Sequence, residues 1–255
     1  MNSRLVIIDI GSHKLEELSI LLKPGIHQLY VFFKWTVRKI VRIIFTLDFN
    51  SFAKINKFFR LLNFYFIKNR SYDLQIISIE PNVDVVIDSV KRLGKKYPIH
   101  YLPLAVLGHD SEKDIELKKL YFYDHSISSS IYDRGREIDE SKSTVCVGMR
   151  FGVIWDQLKS EKIINDEDQF ILRMNCEGSE LGVISDCQEK QLKPICVIGS
   201  LGDVLKIHGV EANNKISDLL SGLGTPYYYF KGELPDTWHA MIEGWERHIN
   251  VFLNK

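Results

Sequence analysis

What the chain has little of narrows its class first. Only four cysteines, Cys146, Cys176, Cys187 and Cys196, occur in 255 residues, and their spacing matches neither a zinc-binding pattern nor a dense disulfide framework. They are expected to be reduced core thiols of a cytoplasmic protein. An excess of one charge is missing too. Lys plus Arg and Asp plus Glu each number 33, so the whole molecule carries no general attraction to nucleic acid or membrane. No uncharged apolar run approaches the roughly 18 residues of a spanning helix. The opening MNSRLVIIDIGS lacks the basic start, longer apolar stretch and small-residue cleavage site of a secretion signal.

What is present is enough apolar material, 45% of the residues, to bury a full core, which excludes global disorder and argues for one domain of generous size. Apolar runs short enough for buried strands alternate with helical periodicities. That is the pattern of an α/β fold with a mostly parallel sheet covered on both faces. Leu5 to Ile10 reads as a strand and Lys14 to Leu22 as an amphipathic helix. Ile76 to Ile79 is a second strand, with Pro81 at a helix start and helix from Val83 to Leu93. Ile99 to Leu107 reads as a third strand ending at Gly108. IELKKLYFYD alternates as a strand, HSISSSIYDRGREIDESKST is polar and aperiodic like a loop or flap, and TVCVGMRFGVI is strand-like. Trp155 to Lys162 follows as a short helix. QFILRMN, PICVIGS and TPYYYFKG read as further strands, GSELGVISDC as a helix, and PDTWHAMIEGWERHINVFLNK as an amphipathic terminal helix.

Residues 23–73 break this regularity. Between Leu21 and Leu74 lie ten basic residues (Lys23, Lys34, Arg38, Lys39, Arg42, Lys54, Lys57, Arg60, Lys68, Arg70) against Asp48 and Asp73, a local charge of +8, and 13 of the 29 aromatic residues. The neutral total therefore hides a basic segment and an acidic remainder. The segment is expected to be a helical insertion. Three readings of it stand, in this order: a lid packed on the core with its lysines snorkelling outward, a peripheral contact with an anionic membrane or membrane-linked assembly, and nucleic-acid binding. The last is least favoured, because the aromatics gather as an apolar face rather than interleave with charge.

The residues with chemistry in them stand at strand ends. IIDIGS puts Asp9 and Gly11 at the end of the first strand, IISIEPN puts Glu80 at the end of the second, and RMNCEGSE puts Asn175, Glu177 and Gly178 at the end of a later one. Open α/β sheets bind ligands outside those ends. A glycine there admits a ligand close to the backbone, and an acidic residue after the second strand is placed to accept both hydroxyls of a ribose. Taken singly, Gly11 is a tight turn and Glu80 a helix cap; in order and in place they favour a nucleoside site.

These stretches, with LPLAVLGHDSEKDIEL and ILRMNCEGSELGVI, resemble the successive signatures of FkbM-like S-adenosylmethionine-dependent methyltransferases. The family pattern runs approximately DxGxxxG, FEPN, ALG with a hairpin, and IKIDVEGxExxVL. The likeness covers most of the chain outside the basic segment, and its last motif is the most specific. It implies a Rossmann-like, doubly wound class I methyltransferase sheet, S-adenosyl-L-methionine as cofactor, and O-methylation of a saccharide or small-molecule hydroxyl. It places Asp9, Gly11 and Ser12 at the methionine part of the cofactor, Glu80 at the ribose with Pro81 and Asn82 shaping its pocket, and Ala105 at the adenine.

The departures from the pattern bear on activity. Leu15 stands where the family has its second glycine, and its side chain is expected to narrow the cofactor loop. Asn175 replaces the family's Asp and cannot act as a carboxylate base. Glu177 is then the retained acidic group for orienting acceptor or cofactor, with Asn175 beside it; its alternative role is to cap the following helix. His13, His109 and His125 have weaker claims as bases, and no metal ligands are expected. The rival to an active enzyme is a weak or inactive relative that serves as a binding or scaffold module through its basic segment.

Overall fold

The computed structural model describes residues 4–13, 74–122, 129–132 and 143–229, together with single residues between 15 and 37 and between 240 and 248. The chain divides into two compact units, Met1–Leu15 with Asp73–Lys231, and Glu16–Tyr72 with Gly232–Lys255. The basic segment therefore shares a unit with the terminal stretch read as a helix, a pairing that no pattern in the sequence signals. Apart from single positions such as the exposed, helical Phe33, both lie outside the described residues, as does most of the Lys14 to Leu22 helix.

The first unit is α/β. Strand β1 (Leu5–Ile10) is buried along its whole length, and so is β2 (Leu74–Ile79). Unbroken apolar runs of this kind suit strands covered on both faces. After β2 come α1 (Val83–Leu93), β3 (Ile99–Leu102), β4 (Ala105–Val106), β5 (Ile115–Phe122), β6 (Ser129–Ser130) and β7 (Thr144–Met149). The remaining elements are α2 (Phe151–Ser160), β8 (Gln169–Met174), α3 (Glu180–Glu189), β9 (Val197–Gly199), α4 (Gly202–Leu223) and β10 (Tyr227–Tyr229).

The main sheet has the order β10-β9-β8-β1-β2-β3, and every neighbouring pair in it is parallel. Strand order thus runs outward in both directions from β1, and it reverses between β1 and β8. Where strand order reverses in this way, loops diverge and leave a crevice beyond the carboxyl ends. Register sets Ile10 beside Ile79 on one side and Met174 on the other, so the turns after β1, β2 and β8 emerge level. Below them, Val6, Ile8 and Ile10 pack with Ile77, Leu172 and the helical residues Ile154, Ile184 and Val204.

Several expected elements fall differently. The strand read from Ile99 to Leu107 is two strands in two sheets, because β3 stays in the main sheet while β4 joins a second sheet of order β4-β7-β5-β6. Pro103 between them has no N–H to continue a ladder. TVCVGMRFGVI is likewise divided at Arg150 into β7 and the first turn of α2. The helix starts there because Asp186 on α3 accepts the Gly152 N–H at 2.8 Å and pairs with Arg150, a tertiary anchor that an apolar run cannot announce. The helix expected over Trp155 to Lys162 accordingly begins a turn earlier and ends at Ser160. Within the polar stretch read as a loop, β6 pairs antiparallel with Tyr121 and Phe122. Helix α4 occupies a stretch for which the pattern predicts no element: Gly209, at φ 82° and ψ −177°, kinks it and puts its two halves out of phase.

Candidate functional site

The turn after β1 is folded by its own polar atoms. Ser12 Oγ donates to the Asp9 carbonyl at 2.7 Å, and the Leu15 N–H donates to the Ser12 carbonyl at 2.7 Å. Gly11 sits at φ +71°, and a Cβ there would lie 2.1 Å from the Asn175 carbonyl oxygen. Only glycine lets the turns after β1 and β8 come this close. Its own carbonyl accepts from Arg173 Nη1 at 2.6 Å, and the same nitrogen donates to Asp9 Oδ1 at 2.9 Å.

Glu80 closes β2 at 2% exposure. Its two carboxylate oxygens accept from the His13 N–H and the Asn82 N–H, each at 3.0 Å. The side chain thus ties the β1 turn to Asn82 at the start of α1, a helix without a side-chain cap. An ionised carboxylate offers about four lone-pair directions, so these two bonds leave acceptor capacity toward the cleft.

After β8 the chain makes a turn with Glu177 at φ +58° and Gly178 at φ +117°. Glu180 holds that turn, its carboxylate accepting from the Cys176 N–H at 2.9 Å and the Gly178 N–H at 2.8 Å. These N–H groups precede the helix, which has no side-chain cap at Ser179, so the bonds tie the turn and the helix-capping role considered for Glu177 is not seen. Burial, opposed by these N–H donors, raises the Glu180 carboxyl above its ordinary range. Glu177 itself is buried and faces the cleft. Beside it, burial first and then the carboxylates of Glu180 and Glu177 push the Cys176 thiol well above its usual value. That makes it a poor nucleophile.

Gly11, Glu80, Pro81, Ala105, Asn175 and Glu177 all line one cleft where strand order reverses, and His13 lines it with them. Asp9, Ser12 and Asn82 do not. Asp9 is fully buried against Arg173, Ser12 is turned inward and accepts from Ser78 Oγ at 2.9 Å, and Asn82 offers its backbone to Glu80. The expectation that Asp9 faces a cofactor is corrected by the charge beside it: an arginine at the same level of β8 claims the carboxylate. Leu15 is also not in the cleft. Its side chain is fully buried, and its backbone sits at φ +52°, so the position is unusual in backbone rather than obstructive in side chain.

The far wall comes from residues that the sequence reading passed over: Leu104, Leu120 and the β6 neighbourhood of Ser129, Ser130 and Ile131. Small, aperiodic and polar, the serines carry no signal besides their clustering. The free space in the cleft is about 30 Å³, room for one or two waters.

His125 lies outside the described residues. His109 lies away from the cleft lining, but the fold brings it to Asp110 and, 99 positions along the chain, to His208. No family model, no curated protein and no solved structure matches the chain.

Proposed function

We propose that the chain is an S-adenosylmethionine-dependent methyltransferase acting on a saccharide or small-molecule hydroxyl. The observation that carries this reading is the meeting of Gly11 and Glu80 in one cleft, at the point where strand order reverses in an all-parallel sheet. A nucleoside with a free ribose diol matches that donor and acceptor set, with Glu80 accepting the hydroxyls and Pro81 and Ala105 supplying apolar walls. When bound, the cofactor supplies an electrophilic sulfonium methyl group. The chain's own part is to position the acceptor and take up a proton. Glu177 is the carboxylate in the cleft placed for that, and Asn175 is confined to hydrogen bonding.

One observation favours the second reading, a methyltransferase-like fold serving as a binding or scaffold module. Ligand pockets usually offer several hundred Å³, and a cleft of about 30 Å³ must widen before a nucleoside fits. Calorimetric titration with S-adenosylmethionine and its demethylated product separates the two. The methyltransferase reading expects saturable binding that Glu80→Ala weakens at least tenfold, since a charge-assisted hydrogen bond contributes about 1.5–3 kcal/mol. Absence of binding by folded wild-type protein at millimolar cofactor would favour the scaffold.

A further inference from the structure

The structure assigns a divalent transition-metal site of the zinc class to His109, Asp110 and His208, beside the β8 turn. One ligating atom from each of the three lies within 4.8 Å of the others. Around a single ion with bonds of about 2.0–2.1 Å the ligand atoms stand roughly 3.3 Å apart. Closing on an ion therefore asks for about 1.5 Å of movement, which χ rotations of partly exposed side chains supply. The two imidazole rings already meet edge to face with centroids 4.8 Å apart.

Two of the three ligands, Asp110 and His208, are oriented from behind, as metal ligands are. Asp110 Oδ1 accepts from the Tyr132 hydroxyl at 2.6 Å, which leaves Oδ2 for an ion. His208 Nε2 lies 3.0 Å from the Gly178 carbonyl. A carbonyl only accepts, so the proton belongs on Nε2 and the lone pair on Nδ1. The Tyr132 ring also packs edge to face on His208 at 5.2 Å.

The backbone underneath is fixed as well. A Cβ on Gly182 of α3 would meet the Gly108 carbonyl carbon and the Leu107 oxygen at 2.7 Å, so α3 lies directly on the loop that presents His109 and Asp110. His208 stands one residue before the kink at Gly209.

The donor set chooses the ion. Two imidazoles and one carboxylate suit Zn²⁺, Co²⁺ or Ni²⁺, whereas Mg²⁺ and Ca²⁺ prefer oxygen throughout. Three protein ligands leave positions open to water or a small ligand. The Gly178 carbonyl belongs to the turn that carries Glu177, so a bound ion stiffens one wall of the cleft. The site itself stands whether or not the chain binds S-adenosylmethionine.

The test is titration of tag-free, chelator-stripped full-length protein with Co²⁺, followed by its visible ligand-field absorption and competed with Zn²⁺. One equivalent is expected to bind without a thiolate-to-cobalt charge-transfer band, and zinc should displace it. His208→Ala and His109→Ala should each weaken binding at least tenfold, Tyr132→Phe about tenfold, and His100→Ala not at all. Melting curves and circular dichroism check that the variants fold. Asp110→Asn, at an exposed position, is the conservative test of the third ligand and should also weaken cobalt binding. Failure of wild-type protein to take up cobalt would overturn the assignment. So would unchanged binding in both histidine variants, a thiolate band, or displacement by Mg²⁺ as readily as by Zn²⁺.

Discussion

Arg173 interrupts an apolar strand, and the structure gives the reason: it stands beside Asp9 in the β1–β8 register, and both side chains are fully buried. A buried pair is costly to break and cheap to replace whole. Arg173→Met should lower stability by about 3–5 kcal/mol, and Asp9→Leu combined with Arg173→Met should recover most of it. Urea unfolding measures both, and a single variant with the wild-type midpoint would refute the pairing's role. Leu15 poses the opposite case. A non-glycine residue in left-handed backbone costs about 1–2 kcal/mol, but removing a buried leucine side chain costs about 2–5 kcal/mol. Leu15→Gly should therefore melt lower than wild type and bind cofactor no better, since the side chain lies in the core. Tighter cofactor binding by that variant would restore the obstructing-loop expectation.

At the scale of elements, α4 shows how one residue sets the aim of a helix. Gly209 has a conformation essentially reserved for glycine, and a Cβ there would touch nothing within 4 Å. The cost of Gly209→Ala is then purely backbone, about 1–3 kcal/mol, and thermal melting should show the loss. An alanine variant as stable as wild type would mean that α4 straightens freely. The same kink explains why α4 was illegible: buried Ala212, Ile216, Leu220 and Leu223 keep helical spacing after Gly209, but Val204 before it belongs to a differently directed turn. Pro103 marks the break between β3 and β4 in the sequence itself, since it has no N–H for a ladder. The start of α2 at Phe151 had no comparable mark, because Asp186 sets it from another helix.

For the whole molecule, charge is separated rather than absent. Residues 21–74 carry +8 within a neutral chain, and each basic residue held near an anionic surface contributes about 1 kcal/mol. Among the described residues no helix is long and apolar enough to cross a membrane. Sedimentation with vesicles should show binding that needs acidic headgroups and weakens as salt rises. Replacing Arg38, Lys39 and Arg42 together by Gln should remove the charge-dependent part. Equal recovery on neutral and anionic vesicles would leave the lid reading in its place.

The sequence by itself determined the buried strands β1, β2, β8 and β9 of the main sheet and the residues at their ends, because burial on both faces demands continuous apolar runs and a turn demands glycine or polar residues wherever it occurs. It also located the cleft through Gly11, Glu80, Asn175 and Glu177, since a strand's carboxyl end is defined by the chain alone. Tertiary structure decided which of those residues look outward. Asp9 turns inward because Arg173, 164 residues away, neutralises it, and Glu180 rather than Glu177 ties the turn before α3 because its carboxylate accepts from both the Cys176 and the Gly178 N–H groups. It alone brought His208 to His109 and Asp110, because proximity across 99 residues is made by the packing of α3 and the kink in α4, and no local spacing encodes either.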